Sequence, residues 1–280
     1  MPKYNLDFQP GQRRHRDQVT RFLLGFGAIL LLLVIASAFA LQRDGFIDNL
    51  FDQTTEPETV EEGVWTHTGS AVFLLAGHDN ASQTLYFAML AHVDIEQRGI
   101  ALFPLNPQAK ATVGSREVTL EQALREGGVR NLQTAAEALA GMQVDRFIAG
   151  SESAFVRAVN TMGSVIVQVE EGIRYRSQAF TLTLAQGTQR LQGDMLLRYF
   201  RYLGTLGEDP PLRQGELLKR VLETYLVTRN AESPEMLEDR FTSLENILNT
   251  NVSVSDFFAQ RDMMMALLAE SDQIVIEVKG

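Results

Sequence analysis

The residues whose types could do chemistry fall at two places along the chain. The first is Asp79, a carboxylate that lies two residues beyond the apolar run 71–77 (AVFLLAG). In α/β folds, ligands gather beyond the carboxyl ends of strands, so Asp79 is the candidate for a metal or ligand contact. The alternative is that Asp79 caps its own turn, as Asp commonly does after a strand.

The second place is an arginine-rich stretch in the later half of the chain. Arg198 and Arg201 lie three apart in a predicted helix over 193–203, and Arg213 follows. Arginine side chains suit the geometry of phosphate, so this group could form an anion site. Ordinary pairing with nearby acids is the alternative, and the candidates are Glu208, Asp209 and Glu216.

Composition excludes several other kinds of site. The chain contains no cysteine, which excludes disulfides, cysteine-ligated zinc, iron–sulfur clusters and thiol nucleophiles. Its four histidines form no H-E-x-x-H pair, and no P-loop, G-x-S-x-G or G-x-G-x-x-G motif occurs. The net charge of −10 disfavours nucleic acid as a partner, because duplex binding needs a basic surface.

An uncharged segment near the start predicts a membrane anchor. Residues 22–41 contain no charged residue, and 20 helical residues span about 30 Å of hydrocarbon. The preceding residues 1–21 hold five basic and two acidic residues, so the positive-inside rule places this tail in the cytoplasm. We expect a single-pass cell-membrane protein with its C-terminal domain outside the cytoplasm; a cleaved signal peptide is the alternative.

The rest of the chain divides into an acidic linker over 42–67 and a domain over 68–280. Apolar runs in the domain predict strands, and amphipathic segments predict helices. The strands are expected at 71–77, 85–94, 99–105, 145–150, 164–170 and 274–278. The helices are expected at 119–127, 131–140, 151–162, 193–203, 211–229, 234–248 and 253–269. This alternation predicts an α/β fold, a three-layer α/β/α sandwich with a central mixed sheet, preceded by one transmembrane helix.

Several of these stretches, in this setting, resemble the LytR-CpsA-Psr family of cell-envelope proteins. The most specific is the G-x-Q-x-L-x-G-x-x-x-L-x-Y-x-R run over 187–201, which ends at Arg201. Shorter matches accompany it: Gly77 with Asp79, Gln133–Gly141 with VDRFIAG (144–150), the strand after Gly163, Arg213-Gln214 and Thr250-Asn251.

The resemblance implies a membrane-anchored α/β/α domain and a metal-assisted phosphotransferase. Members of the family move a glycopolymer from a polyprenyl-pyrophosphate carrier onto peptidoglycan. By this resemblance Arg201 and Arg213 are the pyrophosphate-binding candidates, and Asp79 is the candidate ligand of Mg²⁺. Arginine and a hard divalent ion would stabilise the charge that develops on the leaving group.

The chain departs from the family at five motif positions. Ala81 and Gln83 stand in the family's Arg-Ser-Asp-Thr stretch, which reads Ala-Ser-Gln-Thr here. Leu105 and Asn106 stand in its Ile-Pro-Arg-Asp stretch, and Leu203 replaces the second arginine of its Tyr-x-Arg-x-Arg motif. Three arginines thus become apolar and two carboxylates become amides, so a hard cation loses its charged ligands.

Three hypotheses follow. The favoured one is a catalytically impaired relative that acts as a binding or regulatory component at the envelope, in complex with polyprenyl-phosphate lipid or an active relative. The second is an active Mg²⁺-dependent transferase, which needs a further carboxylate near Asp79; Asp94 and Asp209 are the candidates. The third is an isoprenoid-lipid or protein-interaction module. The resemblance implies an apolar tunnel in it, for which the candidates are Phe73, Leu75, Phe87, Phe147, Phe155 and Phe180; ordinary core packing is the alternative for each of them.

Overall fold

A computed structural model describes residues 69–227 and 233–280. The strands are β1 (Ser70–His78), β2 (Leu85–Asp94), β3 (Gly99–Leu105), β4 (Lys110–Val113), β5 (Arg116–Thr119), β6 (Arg146–Ser151), β7 (Val165–Val169), β8 (Ile173–Arg176), β9 (Thr181–Leu184), β10 (Gly187–Leu191), β11 (Asn249–Thr250) and β12 (Val275–Val278). The helices are α1 (Leu120–Ala140), α2 (Glu152–Met162), α3 (Gly193–Leu203), α4 (Pro210–Val227), α5 (Pro234–Glu245) and α6 (Val254–Ala269).

Six strands form one mixed sheet in the order β11-β6-β1-β2-β3-β12. β1 runs parallel to β6 and β3 parallel to β12, whereas β2 is antiparallel to both β1 and β3. The carboxyl ends of β1, β3 and β6 and the amino end of β2 therefore share one edge of the sheet. Side chains placed just beyond those ends therefore lie along the same edge of the sheet.

Helices cover both faces of the sheet and make two separate cores. β1 is apolar at consecutive positions because both of its faces are buried. Phe73 and Leu75 pack with α2–α6 on one face, whereas Leu74 and Ala76 pack with α1 on the other. The predicted α/β fold with a central mixed sheet is confirmed.

The predicted helix pair at 119–127 and 131–140 is one interrupted helix, α1. Thr119 and Gln122 form a capping box at its start, and Gly141 ends it in the left-handed conformation. Gly127 and Gly128 leave helical geometry in the middle, with Gly128 at φ 67°. The second half resumes directly after Gly128, two residues before the predicted start at 131.

Three two-stranded ribbons, β4–β5, β8–β9 and β7–β10, lie outside the main sheet. The sequence predicted only β7 among their strands, because the others are short and alternate polar with apolar residues. The predicted tail 1–21, anchor 22–41 and linker 42–67 lie outside the described residues. Within 69–227 and 233–280, no helix is long and apolar enough to cross a membrane.

Candidate functional site

The shared sheet edge brings together four side chains, which we call the mouth: Asp79, Tyr86, Glu152 and Arg201. Asp79 follows β1, Tyr86 lies at the start of β2, and Glu152 directly follows β6. Arg201 reaches them from α3, where it forms an ion pair with Glu152.

Asp79 is held by its own loop. Its Oδ1 atom accepts hydrogen bonds from the backbone N–H of Ala81 at 3.0 Å and of Ser82 at 2.6 Å, and from the Ser82 hydroxyl at 2.8 Å. The Ser82 bonds lower the pKa of the Asp79 carboxyl, and the charge of Arg201 adds to this effect. Asp79 therefore makes the capping contacts that the sequence allowed as an alternative.

Gln83 lies in the same loop with a φ of 55°, in the left-handed region. Its side-chain amide donates to the carbonyl oxygen of Asn80 at 3.0 Å. The amide that stands at a carboxylate position of the family motif is thus turned into the loop.

Arg201 is surrounded by partners within the domain. Its guanidinium pairs with Glu152 and lies 4.9 Å from the centre of the Phe180 ring. The side chains of Arg201 and Glu152 are 25% and 31% exposed, so solvent screens this pair only in part. The positive charge that the family resemblance assigns to a phosphate group is neutralised here by a carboxylate of the same chain.

Sequence reasoning missed Glu152. The sequence predicts Asp94 or Asp209 as a second carboxylate near Asp79, and neither lies there. Asp94 pairs with Ser70 at the opposite edge of the sheet, and Asp209 directly precedes α4 and lines a different cleft. The signal that could have found Glu152 is its position directly after a strand that runs parallel to β1, since such strands end at the same edge.

Tyr86 carries a buried hydroxyl that has no hydrogen-bond partner among the described residues. Burial raises the pKa of this phenol, and the negative charges of Glu152 and Asp79 raise it further, against the opposing effect of Arg201. Its ring packs over Gly77, where a Cβ atom would come within 2.4 Å of it. The hydroxyl is thus a protonated donor beside the charged groups of the mouth.

An apolar cavity of about 70 Å³ lies beneath the mouth, between the sheet and α2, α3 and α4. Its wall includes Leu75, Gly77, Tyr86, Phe87, Phe155 and Phe200. Ligand pockets usually measure about 300–1,000 Å³, so the aromatic side chains leave room for little more than a few atoms. Of the six predicted tunnel residues, Leu75, Phe87 and Phe155 line it, Phe73 and Phe180 belong to the same core, and Phe147 faces the other core.

The remaining motif positions do not add charge to the mouth. Asn106 follows β3 and accepts the backbone N–H of Gln108 through its side-chain oxygen at 2.9 Å, in a turn. Leu105 packs in the core beside α1, and Ala81 is exposed. Leu203 is buried in the other core, beside α2–α6.

The other candidate arginines lie apart from the mouth. Arg213 donates to the carbonyl oxygen of Glu208 at 3.0 Å and lines a cleft of about 800 Å³ between β7, β8, α3 and α4. Arg198 pairs with Asp194 at 2.9 Å and donates to the carbonyl oxygen of Thr181. Asp79 and Arg201 lie together in the mouth, and Arg213 forms no hydrogen bond or ion pair with either of them.

A hard divalent cation such as Mg²⁺ does not fit the mouth. Such an ion needs several oxygen ligands, with carboxylates foremost. One Asp79 oxygen accepts three hydrogen bonds, and Glu152 is paired with Arg201. Across the described part of the chain, no group of three or more His, Asp or Glu residues is placed to hold a metal ion.

Other motif residues hold the fold, and we call four of them the frame residues: Gln133, Gly193, Thr250 and Asn251. The Gln133 amide donates to the carbonyl oxygen of Val144 at 2.9 Å, which fixes the entry to β6. Thr250 donates to the carbonyl oxygen of Phe147, and the side-chain oxygen of Asn251 accepts the Phe147 N–H, both at 2.7 Å. Gly193 lets α3 approach α2, where a Cβ atom would lie 2.5 Å from the Val156 carbonyl oxygen.

Comparison with solved structures finds the same fold in other proteins. A protein from Eubacterium siraeum matches with a TM-score of 0.66 and 17% identity, over 81% of this chain and 89% of that one. TagV from B. subtilis matches with a TM-score of 0.61 and 13% identity, over 77% and 86%. YwtF (TagT) with bound octaprenyl pyrophosphate lipid matches with a TM-score of 0.52 and 19% identity, over 75% and 76%. No curated protein matches the sequence.

The architecture defines a mixed α/β domain with a polar mouth at the carboxyl ends of its parallel strands. The family model described as the LytR_cpsA_psr family matches residues 51–275, which is most of the chain. The chain belongs to the LytR-CpsA-Psr family.

Proposed function

We propose that this protein is a membrane-anchored, extracytoplasmic component of cell-wall glycopolymer attachment that binds lipid-linked material with little or no transferase activity. The family match supports the setting, and one structural neighbour is a family protein with bound octaprenyl pyrophosphate lipid. The uncharged segment 22–41 and the basic tail before it support the anchor and its orientation.

The observation that carries the loss of activity is that the two retained motif charges that lie in the mouth are already paired or hydrogen-bonded within the chain. Arg201 is paired with Glu152, and Asp79 accepts three hydrogen bonds from its own loop. Transferring a group from a pyrophosphate carrier requires positive charge that becomes available as the leaving group develops negative charge. The mouth supplies one guanidinium and two carboxylates, so its net charge is negative where a pyrophosphate leaving group needs positive charge.

The missing arginines set the size of the expected defect. A hydrogen bond to a charged group is worth about 1.5–3 kcal/mol, and about 1.4 kcal/mol corresponds to tenfold in rate. Leucine and alanine at positions 81, 105 and 203 can make none of these bonds. Even with strong coupling between sites, the rate should fall by several powers of ten.

A transfer assay on the full chain tests the proposal. It uses a polyprenyl-pyrophosphate-linked glycopolymer with peptidoglycan and Mg²⁺, and it compares wild type with Asp79→Ala and with Glu126→Gln. Glu126 is an exposed residue paired with Arg116, so its variant serves as the control. We expect no transfer above the protein-free background in any of the three, together with measurable binding of the lipid-linked substrate.

Robust Mg²⁺-dependent transfer by wild type and Glu126→Gln that disappears in Asp79→Ala would show an active transferase instead. The anchor is tested separately by fractionating cells that express the full chain or a chain lacking residues 1–41. We expect only the full chain in the membrane fraction. Recovery of the full chain in the soluble fraction would contradict the anchor.

A second candidate, lipid binding as the whole function, is favoured by the apolar cavity beneath the mouth. At about 70 Å³ the cavity takes an isoprenoid chain only if Phe87, Phe155 and Phe200 move apart. Binding of the lipid without any effect on glycopolymer attachment in cells would distinguish this candidate from the first.

A further inference from the structure

Glu152 changes which head group the mouth can accept. The family resemblance implies a mouth that holds pyrophosphate, and Arg201 is the guanidinium that remains there. In this chain Glu152 lies at the first position of α2 and pairs directly with that guanidinium. An incoming anion must therefore displace Glu152 from Arg201 or bind beside the intact pair.

The charges of the mouth sum to about −1, from Arg201 against Glu152 and Asp79. Arg198, the nearest arginine along α3, is engaged by Asp194 and by the Thr181 carbonyl. A pyrophosphate brings two phosphoryl groups into this half-buried, net negative environment, where like charges repel more strongly than in water. A monophosphate brings less charge and needs fewer cationic partners.

Tyr86 offers a monophosphate one further contact. The Tyr86 side chain lines the apolar cavity beneath the mouth, and its hydroxyl is buried without a hydrogen-bond partner within the described residues. A buried donor without an acceptor is unfavourable, so a ligand oxygen placed there relieves that cost. A ligand with an apolar chain in the cavity and a phosphate oxygen at its opening would fill the cavity and give the Tyr86 hydroxyl an acceptor.

We propose that Glu152 and Tyr86 make the mouth select isoprenoid monophosphates over isoprenoid pyrophosphates. Glu152 sets the charge that the mouth accepts, and the Tyr86 hydroxyl donates to a phosphate oxygen of the bound head group. This inference rests on the proposed lipid-binding function and specifies the ligand class of that same site.

Calorimetric titration of the full chain in a non-ionic detergent tests the selectivity. The probes are farnesol, farnesyl monophosphate and farnesyl pyrophosphate. For wild type we expect the monophosphate to bind about tenfold more tightly than the pyrophosphate, as expected for one added unfavourable charge interaction. In Glu152→Gln, which keeps the shape of the side chain but removes its charge, we expect this preference to disappear or reverse. Glu126→Gln should behave as wild type.

Tyr86→Phe separates a binding role from a structural one. Because the hydroxyl has no hydrogen-bond partner in the part of the chain that the structure describes, its removal should leave thermal stability unchanged or raise it. The same variant should bind farnesyl monophosphate about tenfold more weakly, whereas its affinity for farnesol should change less. A loss of stability together with unchanged monophosphate affinity would overturn the role of Tyr86.

The outcomes distinguish this inference from the function on which it rests. If wild type binds none of the three probes, the proposed lipid binding fails and the selectivity fails with it. If wild type binds the pyrophosphate more tightly, or Glu152→Gln leaves the ratio of affinities unchanged, only the selectivity is overturned.

Discussion

The frame residues and the mouth both carry the family resemblance, yet they differ in what the resemblance preserves. Gln133, Thr250 and Asn251 keep their residue types, and each makes a hydrogen bond that fixes β6 or its entry. In the mouth and its loops, several motif positions have changed type. Asp79 and Arg201 are kept, but all five changed positions are ones at which the family motif carries a charge, whereas the frame residues that support the backbone are unchanged.

The replaced residues show why the fold tolerates the change. Asn106 still caps a turn through its side-chain oxygen, as an Asp would, and Gln83 still bonds within the loop after β1. Asn and Gln keep an acceptor oxygen but lack the negative charge. Local geometry therefore survives at these two positions, whereas the negative charge of a carboxylate does not.

The largest expected effect belongs to a frame residue. In Gly193→Ala the added Cβ atom would lie 2.5 Å from the Val156 carbonyl oxygen and 2.7 Å from the Asn160 side-chain oxygen. Forcing α3 away from α2 should lower the free energy of unfolding by about 1–3 kcal/mol, measured by chemical denaturation. Gly207→Ala is the control, since within residues 69–227 and 233–280 no atom beyond its chain neighbours lies within 4 Å of the added Cβ. Equal stability of the two variants would show that the close approach of α2 and α3 is unimportant.

The next effect tests the clamp on β6. Asn251→Ala removes the acceptor at 2.7 Å from the Phe147 N–H and leaves that donor without its partner. We expect a loss of about 1–2 kcal/mol in unfolding free energy and faster hydrogen exchange at Phe147. Asn249→Ala, at an exposed position two residues earlier, should change little. Unaltered exchange at Phe147 would argue that the Asn251 contact does not secure the strand.

The mouth should respond differently at Asp79. Asp79→Asn keeps an oxygen that can accept from Ala81 and Ser82, so we expect a melting temperature close to that of wild type. Asp79→Ala removes that acceptor and should lower the melting temperature more than Asp79→Asn does. Thermal denaturation of both variants at neutral pH measures the difference. If Asn proves as costly as Ala, the charge of Asp79 rather than its turn geometry supports the loop.

Much of the fold could be predicted from sequence because its main elements have strong local signals. β2 and β3 coincide with the runs predicted at 85–94 and 99–105, and α3 with the helix predicted at 193–203. β8 and β9 were missed because each has four residues and only part of its surface is buried. Such short ribbons depend on tertiary packing more than on local pattern.

The site was harder to predict than the fold. Position after a strand identified Asp79, and the family motif identified Arg201, which the structure brings into the mouth. Glu152 gives no local signal, since a Glu in the first turn of a helix is ordinary. Its role depends on β6 being parallel to β1, which is a property of the sheet rather than of the segment.

The smallest expected effect concerns the ionisation of Asp79 itself. The backbone N–H of Ser82 is the main cause of the lowered pKa of this carboxyl, and the Ser82 hydroxyl is the second. Because the folded-state pKa is depressed, ionised Asp79 favours the folded loop above its ordinary pKa, and this contribution is lost as the pH falls through the depressed value. Ser82→Ala removes only the hydroxyl, so the pKa should rise but stay below its ordinary value in an NMR titration. Glu152→Gln should lower it slightly, because Arg201 then acts on Asp79 without its paired carboxylate. A pKa that does not respond to Ser82→Ala would show that the hydroxyl does not help to hold Asp79 in its charged form, which would leave that role to the backbone N–H groups of Ala81 and Ser82 and to the charge of Arg201.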